Sequence, residues 1–175
     1  APGGENRRGH RDAAKGRGEP PDHVVFCGPP GLGKTSLARI VAEERGRELH
    51  ATSGGALDKP RDVLGLLTNG GRGDGFCVEE SHRSPVSVEE YLYTAMEDFR
   101  VEMTLDSGPH ARVLPINVEP FTLVGATTRE GLLSAPFRAR FGLVERLDPY
   151  PTEDLERIVK RAAGILGIGV TDDGA

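Results

Sequence analysis

Short apolar runs alternate along the chain with segments whose apolar residues recur at helical spacing. The runs predict five buried strands, over residues 23–27, 49–51, 75–78, 121–125 and 143–147. A helix is predicted up to Gly46, with Leu37, Ile40 and Val41 on its apolar face, and another near residues 60–67. Strands that alternate with helices favour an α/β fold with a largely parallel sheet.

Two later helices carry signals for where they begin. Ser87 and Glu90 have the spacing of a capping box, in which the serine oxygen accepts from the Glu90 amide and the glutamate reaches back. The apolar face that follows consists of Val88, Leu92, Ala95, Met96 and Phe99. Thr152 is predicted to cap the last helix, whose apolar side consists of Leu155, Ile158, Val159, Ala162 and Leu166.

Between these two helices the period of the pattern changes to two. Apolar and polar residues alternate over 101–105, residues 106–109 favour a turn, and residues 113–118 are predicted to form the returning strand. This arrangement predicts an inserted β-hairpin from Val101 to Val118.

Composition separates residues 1–22 from the rest of the chain, and net charge bears on whether the chain binds nucleic acid. Residues 1–22 contain no Val, Ile, Leu or Phe, so they are predicted to form a disordered or poorly packed lead-in. The net charge of −5 argues against a domain that holds nucleic acid mainly by its overall charge. No apolar run approaches the ~18 residues of a membrane span. Two cysteines, Cys27 and Cys77, favour a reducing, cytoplasmic location and roles as small buried hydrophobes.

The strongest chemical signal is residues 28–35, which read Gly-Pro-Pro-Gly-Leu-Gly-Lys-Thr between a predicted strand and a helix. The glycines Gly28, Gly31 and Gly33 let backbone amides turn toward phosphate oxygens. Lys34 adds a full positive charge, and the Thr35 hydroxyl is of the type that ligates Mg²⁺. The sequence therefore predicts a nucleotide site with Mg²⁺.

An acidic pair, Glu79-Glu80, follows the weaker strand 75–78, where a nucleoside triphosphatase needs carboxylates. The phosphate loop resembles that of the RuvB family of hexameric AAA+ ATPases, which drive branch migration of Holliday junctions. The same resemblance extends, from about Asp22 to the end, over the stretches ATSGGALDKPRDV, EESHR, YLYTAMEDF, SGPHAR and FTLVGATTREGLLSAPFRARFG and over Tyr150.

The resemblance implies a P-loop NTPase of the AAA+ type, with three layers, a largely parallel five-stranded sheet, and ATP and Mg²⁺ as cofactors. Phosphates would be held by Gly31, Lys34, Thr35 and Ser36, and Mg²⁺ by Thr35 with Glu79. Glu80 would polarise the attacking water, Thr127 or Thr128 would sense the γ-phosphate, and Arg140 would be the arginine finger. Nucleotide contacts are further implied for Glu97, Asp98, Phe99 and Tyr150.

The chain departs from the family pattern at several positions. Glu79 is one methylene longer than the expected Asp, and Mg²⁺ demands near-ideal octahedral geometry, so we expect hydrolysis to be more affected than binding. Gly75 and Ser81 stand where larger apolar residues are expected. Residues 1–22 do not resemble the segment that normally precedes the first strand. We expect a large ATPase subdomain over 23–150, the start of a truncated helical lid over 151–175, and no winged-helix DNA-binding domain in this chain.

The resemblance implies a motor subunit that acts on Holliday junction DNA, assembles as a hexamer, and binds RuvA through the hairpin. The alternative is a nucleotide-binding assembly module with impaired or absent hydrolysis, favoured by Glu79 and the missing lid. A small-molecule kinase shares the phosphate loop but requires neither Arg140 nor the hairpin.

The five histidines show no metal-ligand spacing with the cysteines. His82 lies beside the acidic pair, where its position is compatible with orienting that pair or with simple packing.

Overall fold

The structure, a computed structural model, describes residues 22–104 and 112–171. In chain order these residues form β1 (Val24–Cys27), α1 (Lys34–Glu44), β2 (Leu49–Ser53), α2 (Pro60–Thr68), β3 (Gly75–Glu79), α3 (Val86–Asp98), β4 (Arg100–Thr104), β5 (Val113–Asn117), β6 (Thr122–Thr127), α4 (Ala135–Ala139), β7 (Leu143–Arg146) and α5 (Thr152–Leu166). Short 3₁₀ turns follow β2, β3 and β6 at Gly54–Ala56, Ser81–Arg83 and Glu130–Leu132.

Five of the strands form one sheet in the order β2-β3-β6-β1-β7, and every neighbouring pair is parallel. The predicted parallel α/β sheet is confirmed. The central strand β6 is buried along its whole length, as expected for a parallel strand covered on both faces. Because β6 lies between β1 and β3, it separates Cys27 from Cys77, and both thiols are free and buried.

The sheet is covered by unequal layers on its two faces. Successive strand residues point to opposite faces, so Val25, Phe76 and Leu123 enter the larger core with α2, α3 and α4. Phe26, Cys77 and Val124 enter the smaller core with α1. The result is the three-layer arrangement that the sequence predicts.

The inserted hairpin forms a second sheet of its own. β4 and β5 are antiparallel, with Arg100 opposite Asn117 and Thr104 opposite Val113. At the base of the hairpin, the Val118 amide donates to the Phe99 carbonyl over 2.9 Å. The predicted ladder is confirmed, whereas the predicted turn 106–109 lies outside the described residues.

Two predicted helix starts are wrong. No capping box forms at Ser87, because α3 begins at Val86, two residues before the predicted first helical residue, and Pro85 is its N-terminal flanking residue. The Pro85 carbonyl accepts from the amides of Val88 and Glu89, and its fixed φ suits the entry to a helix. Thr152 likewise lies inside α5, after Pro151.

The outer helices bury less apolar surface than their patterns suggest. In α1 the buried residues are Lys34, Ala38 and Ala42, while Ile40 is half exposed. In α5 only Ala163 is buried, and the predicted apolar side, including Leu155 and Ile158, faces outward among the described residues. Within those residues no helix combines the length and hydropathy required to cross a bilayer.

His23 links the beginning of β1 to two other elements. Its Nδ1 accepts from the Leu123 amide at 2.9 Å, so Nε2 carries the proton that reaches the Met96 carbonyl at 3.2 Å. The ring also contacts Phe121, with 5.6 Å between centroids. Burial lowers the pKa of His23, opposed by the Met96 carbonyl and by Asp22.

This depressed pKa makes stability depend on pH. The folded chain binds fewer protons at His23 than the unfolded chain, so its contribution is complete above the ordinary pKa of 6.5 and is lost as the pH falls toward the folded-state value. Denaturant unfolding between about pH 5 and 8 should show this loss. His23→Asn keeps an acceptor for the Leu123 amide and cannot titrate, so its stability should fall less over the same range. Parallel pH profiles for both proteins would contradict the assignment.

Candidate active site

The loop between β1 and α1 has a backbone that favours glycine at two points. Gly28 has φ 149°, and a Cβ there would lie 2.5 Å from the Leu147 carbonyl oxygen. Gly33 has φ 80° and is the residue that leads into α1. Its left-handed conformation lets the chain turn directly into the helix. The loop therefore closes tightly on the carboxyl end of β1, with the amides at the start of α1 facing outward from the helix end.

Lys34 is held beneath this loop by the loop itself. Its ammonium donates to the carbonyls of Gly28 at 2.9 Å and Pro29 at 2.7 Å, and only 8% of the residue is exposed. A buried ammonium held by backbone carbonyls supplies a fixed positive charge at the loop. The predicted phosphate-binding residues thus lie together, with Ser36 exposed in the first turn of α1.

Thr35 and Glu79 come together from α1 and the end of β3. The Thr35 hydroxyl donates to Glu79 Oε1 over 2.9 Å. The extra methylene of Glu79 therefore does not prevent its carboxylate from reaching the threonine. Both groups offer oxygen atoms, which are the donors that Mg²⁺ prefers, so the pair fits the predicted ion by its chemistry.

Glu80 lies beside this pair in an unusual backbone conformation. Its φ of 48° and ψ of 46° are left-handed, which costs energy for a residue other than glycine. Its Oε2 accepts from the Thr128 hydroxyl at 3.0 Å and lies 3.2 Å from Nδ1 of His82. The carboxylate is thus attached to the end of β6, although Glu80 itself follows β3.

The two threonines at the end of β6 make different contacts. Thr127 is fully buried, accepts from the Arg129 amide at 3.0 Å and lies 2.9 Å from His82 Nδ1. Thr128 is half-buried and bonds Glu80. The sequence leaves the two threonines equivalent, and it does not reveal that His82 lies between Thr127 and Glu80.

Arg140 lies away from these groups, after α4. Its guanidinium donates to the Tyr93 hydroxyl, pairs with Glu97 at 2.9 Å, and stands 4.4 Å from the centre of the Tyr93 ring. The hydrogen bond to Tyr93 raises the pKa of Arg140 above its ordinary value. Tyr93 and Glu97 are four residues apart on α3, so one helix face holds the arginine.

Arg140 and the predicted 97–99 stretch occupy the opposite end of the sheet from the loop. Arg140 and Phe99 line a cavity of about 300 Å³ with His23 and Phe121, which lie where β1 and β6 begin. Phe99 ends α3 with a φ of 49°, and Asp98 is exposed. The phosphate loop follows the carboxyl end of β1. Within a single chain, Arg140 and residues 97–99 therefore lie at the far end of the sheet from the loop.

Tyr150 lies at the same end of the sheet as the phosphate loop. It follows β7, whose end joins β1 through a 2.8 Å bond from the Leu147 amide to the Cys27 carbonyl. Its side chain is about half exposed. Together with the phosphate loop, the Thr35–Glu79 pair and the strand order, this geometry defines a P-loop NTPase of the AAA+ class.

Comparison with known proteins identifies the branch of that class. Residues 8–147 match the family model of the Holliday junction DNA helicase RuvB P-loop domain. The chain is 58% identical over 171 residues to the Holliday junction branch migration complex subunit RuvB of Chlorobium phaeobacteroides, covering 98% of this chain and 49% of that protein. The subunit of Oleidesulfovibrio alaskensis is 54% identical over 97% of this chain and 53% of its own length. The chain belongs to the RuvB family.

Solved structures agree with this assignment. The chain is 45% identical to the Thermotoga maritima RuvB Holliday junction branch migration motor, with a TM-score of 0.81 over 97% of this chain and 53% of that one. A single-substitution variant of the same protein gives 46% identity and a TM-score of 0.83 over 94% and 51%. The chain thus spans about half the length of its relatives. The family match begins at residue 8, so the expectation that residues 1–22 do not resemble the family is wrong for most of that segment.

Ser81, the residue after Glu80, has a buried hydroxyl that affects stability. It is 1% exposed, and its hydroxyl has no hydrogen-bond partner among the described residues. A buried, unsatisfied hydroxyl is destabilising, so Ser81→Ala should raise the free energy of unfolding by about 1 kcal/mol, measured by denaturant titration.

Ser84 is the matched control for this substitution. It is equally part of the segment between β3 and α3, is 8% exposed, and donates to the Gly54 carbonyl at 3.4 Å. Ser84→Ala should therefore destabilise the protein. A loss of stability in both variants would show that the Ser81 hydroxyl is satisfied.

Proposed function

We propose that this chain is the ATPase part of a RuvB-type motor subunit, which binds ATP with Mg²⁺ at the phosphate loop and hydrolyses it. In the whole protein, hydrolysis would drive branch migration of Holliday junctions in recombination and repair. The observation that carries the proposal is the meeting of Thr35, Glu79, Glu80 and Thr128 at one end of the sheet, beside Lys34. Family membership supports the substrate and the pathway.

Each group at this end has a distinct role. Gly28, Gly31, Gly33, Lys34, Thr35 and Ser36 would bind the phosphates, with Tyr150 near the nucleotide. Thr35 and Glu79 would hold Mg²⁺, which neutralises phosphate charge when it is bound. Glu80 would orient and polarise the attacking water, since a carboxylate can accept its proton. Thr128, whose hydroxyl already contacts Glu80, is the better candidate for the γ-phosphate sensor than the fully buried Thr127.

Arg140 would act on the nucleotide of a neighbouring subunit. It lies at the end of the sheet where β1 begins, and the four residues of β1 alone span about 13 Å. Arg140 cannot reach the phosphate loop of its own chain, which lies at the other end of the sheet. It reaches such a loop only if a second copy packs head to tail, with its carboxyl end against the amino end of this sheet. Head-to-tail contacts form a ring when the rotation between copies closes, and this is the case that the expected hexamer requires. Glu97, Asp98 and Phe99 would approach the same neighbouring nucleotide.

Helix α5 and the β4–β5 hairpin would contact other parts of the motor. The exposed apolar side of α5 fits the first helix of a lid, covered by part of the relatives' length that the chain does not span. The DNA-binding domain is proposed to lie in that same part. The β4–β5 hairpin is proposed to contact RuvA, and the cytoplasm is the proposed location.

The alternative, an assembly module without turnover, rests on Glu79 in place of Asp. The 2.9 Å contact between Glu79 and Thr35 favours a competent site instead, because the longer carboxylate still meets the hydroxyl. Steady-state ATPase measurements separate the two.

The chain should hydrolyse ATP with Mg²⁺ above background. Arg140→Ala should lower kcat by about 10³-fold while ATP binding is retained, because an arginine finger stabilises transition-state charge. Arg138→Ala is the matched control, since Arg138 lies on the same short helix and pairs with Glu130 at 3.6 Å. Absence of turnover in the parent at saturating ATP and Mg²⁺ would favour the assembly module. Equal ATPase rates in the parent and in Arg140→Ala would contradict the role of Arg140 as an arginine finger.

A further inference from the structure

His82 occupies the turn that joins the end of β3 to α3, with 11% of its side chain exposed. One ring atom, Nδ1, faces two oxygens at once. These are Thr127 Oγ1 at 2.9 Å and Glu80 Oε2 at 3.2 Å. The ring therefore bridges the acidic residue after β3 and the buried threonine at the end of β6.

The chemistry of these oxygens determines where the proton is. An ionised carboxylate can only accept, so Nδ1 must carry a hydrogen for the 3.2 Å contact with Glu80 to be attractive. Thr127 Oγ1 then accepts from both Nδ1 and the Arg129 amide, and an oxygen with two lone pairs can accept both. His82 is thus assigned the Nδ1–H form.

The same carboxylate oxygen faces both groups. Glu80 Oε2 accepts from the Thr128 hydroxyl at 3.0 Å and makes a close polar contact with His82 Nδ1 at 3.2 Å, whereas no donor among the described residues reaches Oε1. The hydrogen bond and the close contact on one oxygen together restrain the carboxylate. Oε1 keeps its lone pairs for another donor, such as a water molecule.

We infer that His82 is a positioning residue for hydrolysis: it orients the Glu80 carboxylate so that Oε1 faces the attacking water, and it attaches that carboxylate to the end of β6. The inference rests on the proposed function of Glu80. The left-handed backbone of Glu80 strengthens it, because a strained residue is maintained only where its surroundings hold it in place. His82 acts through Glu80, so its loss should lower kcat and leave nucleotide affinity unchanged.

Two substitutions separate orientation from packing. His82→Leu replaces the imidazole with an apolar side chain of similar size that has no donor, and kcat should fall by about 10²-fold with ATP affinity unchanged. His82→Asn places an amide N–H near the position of Nδ1, and most of kcat should return. Retention of full kcat in His82→Leu, or an equal loss in both variants, would overturn the inference.

His50 provides the control for a partly buried histidine elsewhere. It pairs with Asp74 at 3.3 Å and stacks on Phe76 with 5.1 Å between centroids. His50→Leu should lower the melting temperature without changing kcat. An equal loss of kcat in His50→Leu and His82→Leu would assign the effect to general destabilisation.

A second measurement does not require turnover. Nitrogen-15 NMR of the imidazoles at about pH 7.5 distinguishes protonated from unprotonated ring nitrogens. His82 should show the Nδ1–H form, and His23 the opposite Nε2–H form, because His23 Nδ1 accepts from the Leu123 amide. An Nε2–H form at His82 would overturn the inference even if ATPase activity is present. Absent turnover with Nδ1–H at His82 would contradict the proposed function alone and leave the orientation of Glu80 supported.

Discussion

The parallel pairing of β6 between β1 and β3 is the constraint on which the rest of the molecule depends. Every residue of β6 is buried, and its register sets Thr127 beside Cys27 and Ala126 beside Glu79. The phosphate loop, the acidic pair and the two threonines lie at or directly after the carboxyl ends of these three strands. Parallel strands place their carboxyl ends at one edge, so residues far apart in sequence meet there.

The chemistry is divided between the two ends of that sheet. The carboxyl end holds the groups that would bind and activate one nucleotide, whereas the amino end holds Arg140 on Tyr93 and Glu97. Helix α3 connects them, since it begins just after the turn that contains His82 and carries Tyr93 and Glu97 near its other end. A change at Glu80 is therefore two structural elements away from Arg140, the residue proposed to reach a neighbouring subunit. In the proposed ring, this connection would link successive sites through one turn and one helix.

Much of the fold follows from sequence pattern, and the failures have specific causes. The five parallel strands and the hairpin are predictable because their apolar runs and alternation are strong and local. The capping box at Ser87 fails because Pro85 starts the helix earlier. In α1 the apolar pattern points to Ile40, yet close packing on the sheet selects the small Ala38 and Ala42. At the site, the motifs indicate which residues gather, whereas the separate contacts of Thr127, Thr128 and His82 depend on tertiary distances that spacing does not contain.

The carboxyl end of the sheet is the proposed site for ATP with Mg²⁺, and the buried Lys34 lies at its centre. Calorimetric titration of ATP with Mg²⁺ into the parent and into Lys34→Ala tests it most directly. We expect saturable binding to the parent and affinity weakened by about 10²-fold or more in Lys34→Ala, because the fixed ammonium is lost from the loop. Equal affinity in both proteins, or no binding to the parent, would contradict it.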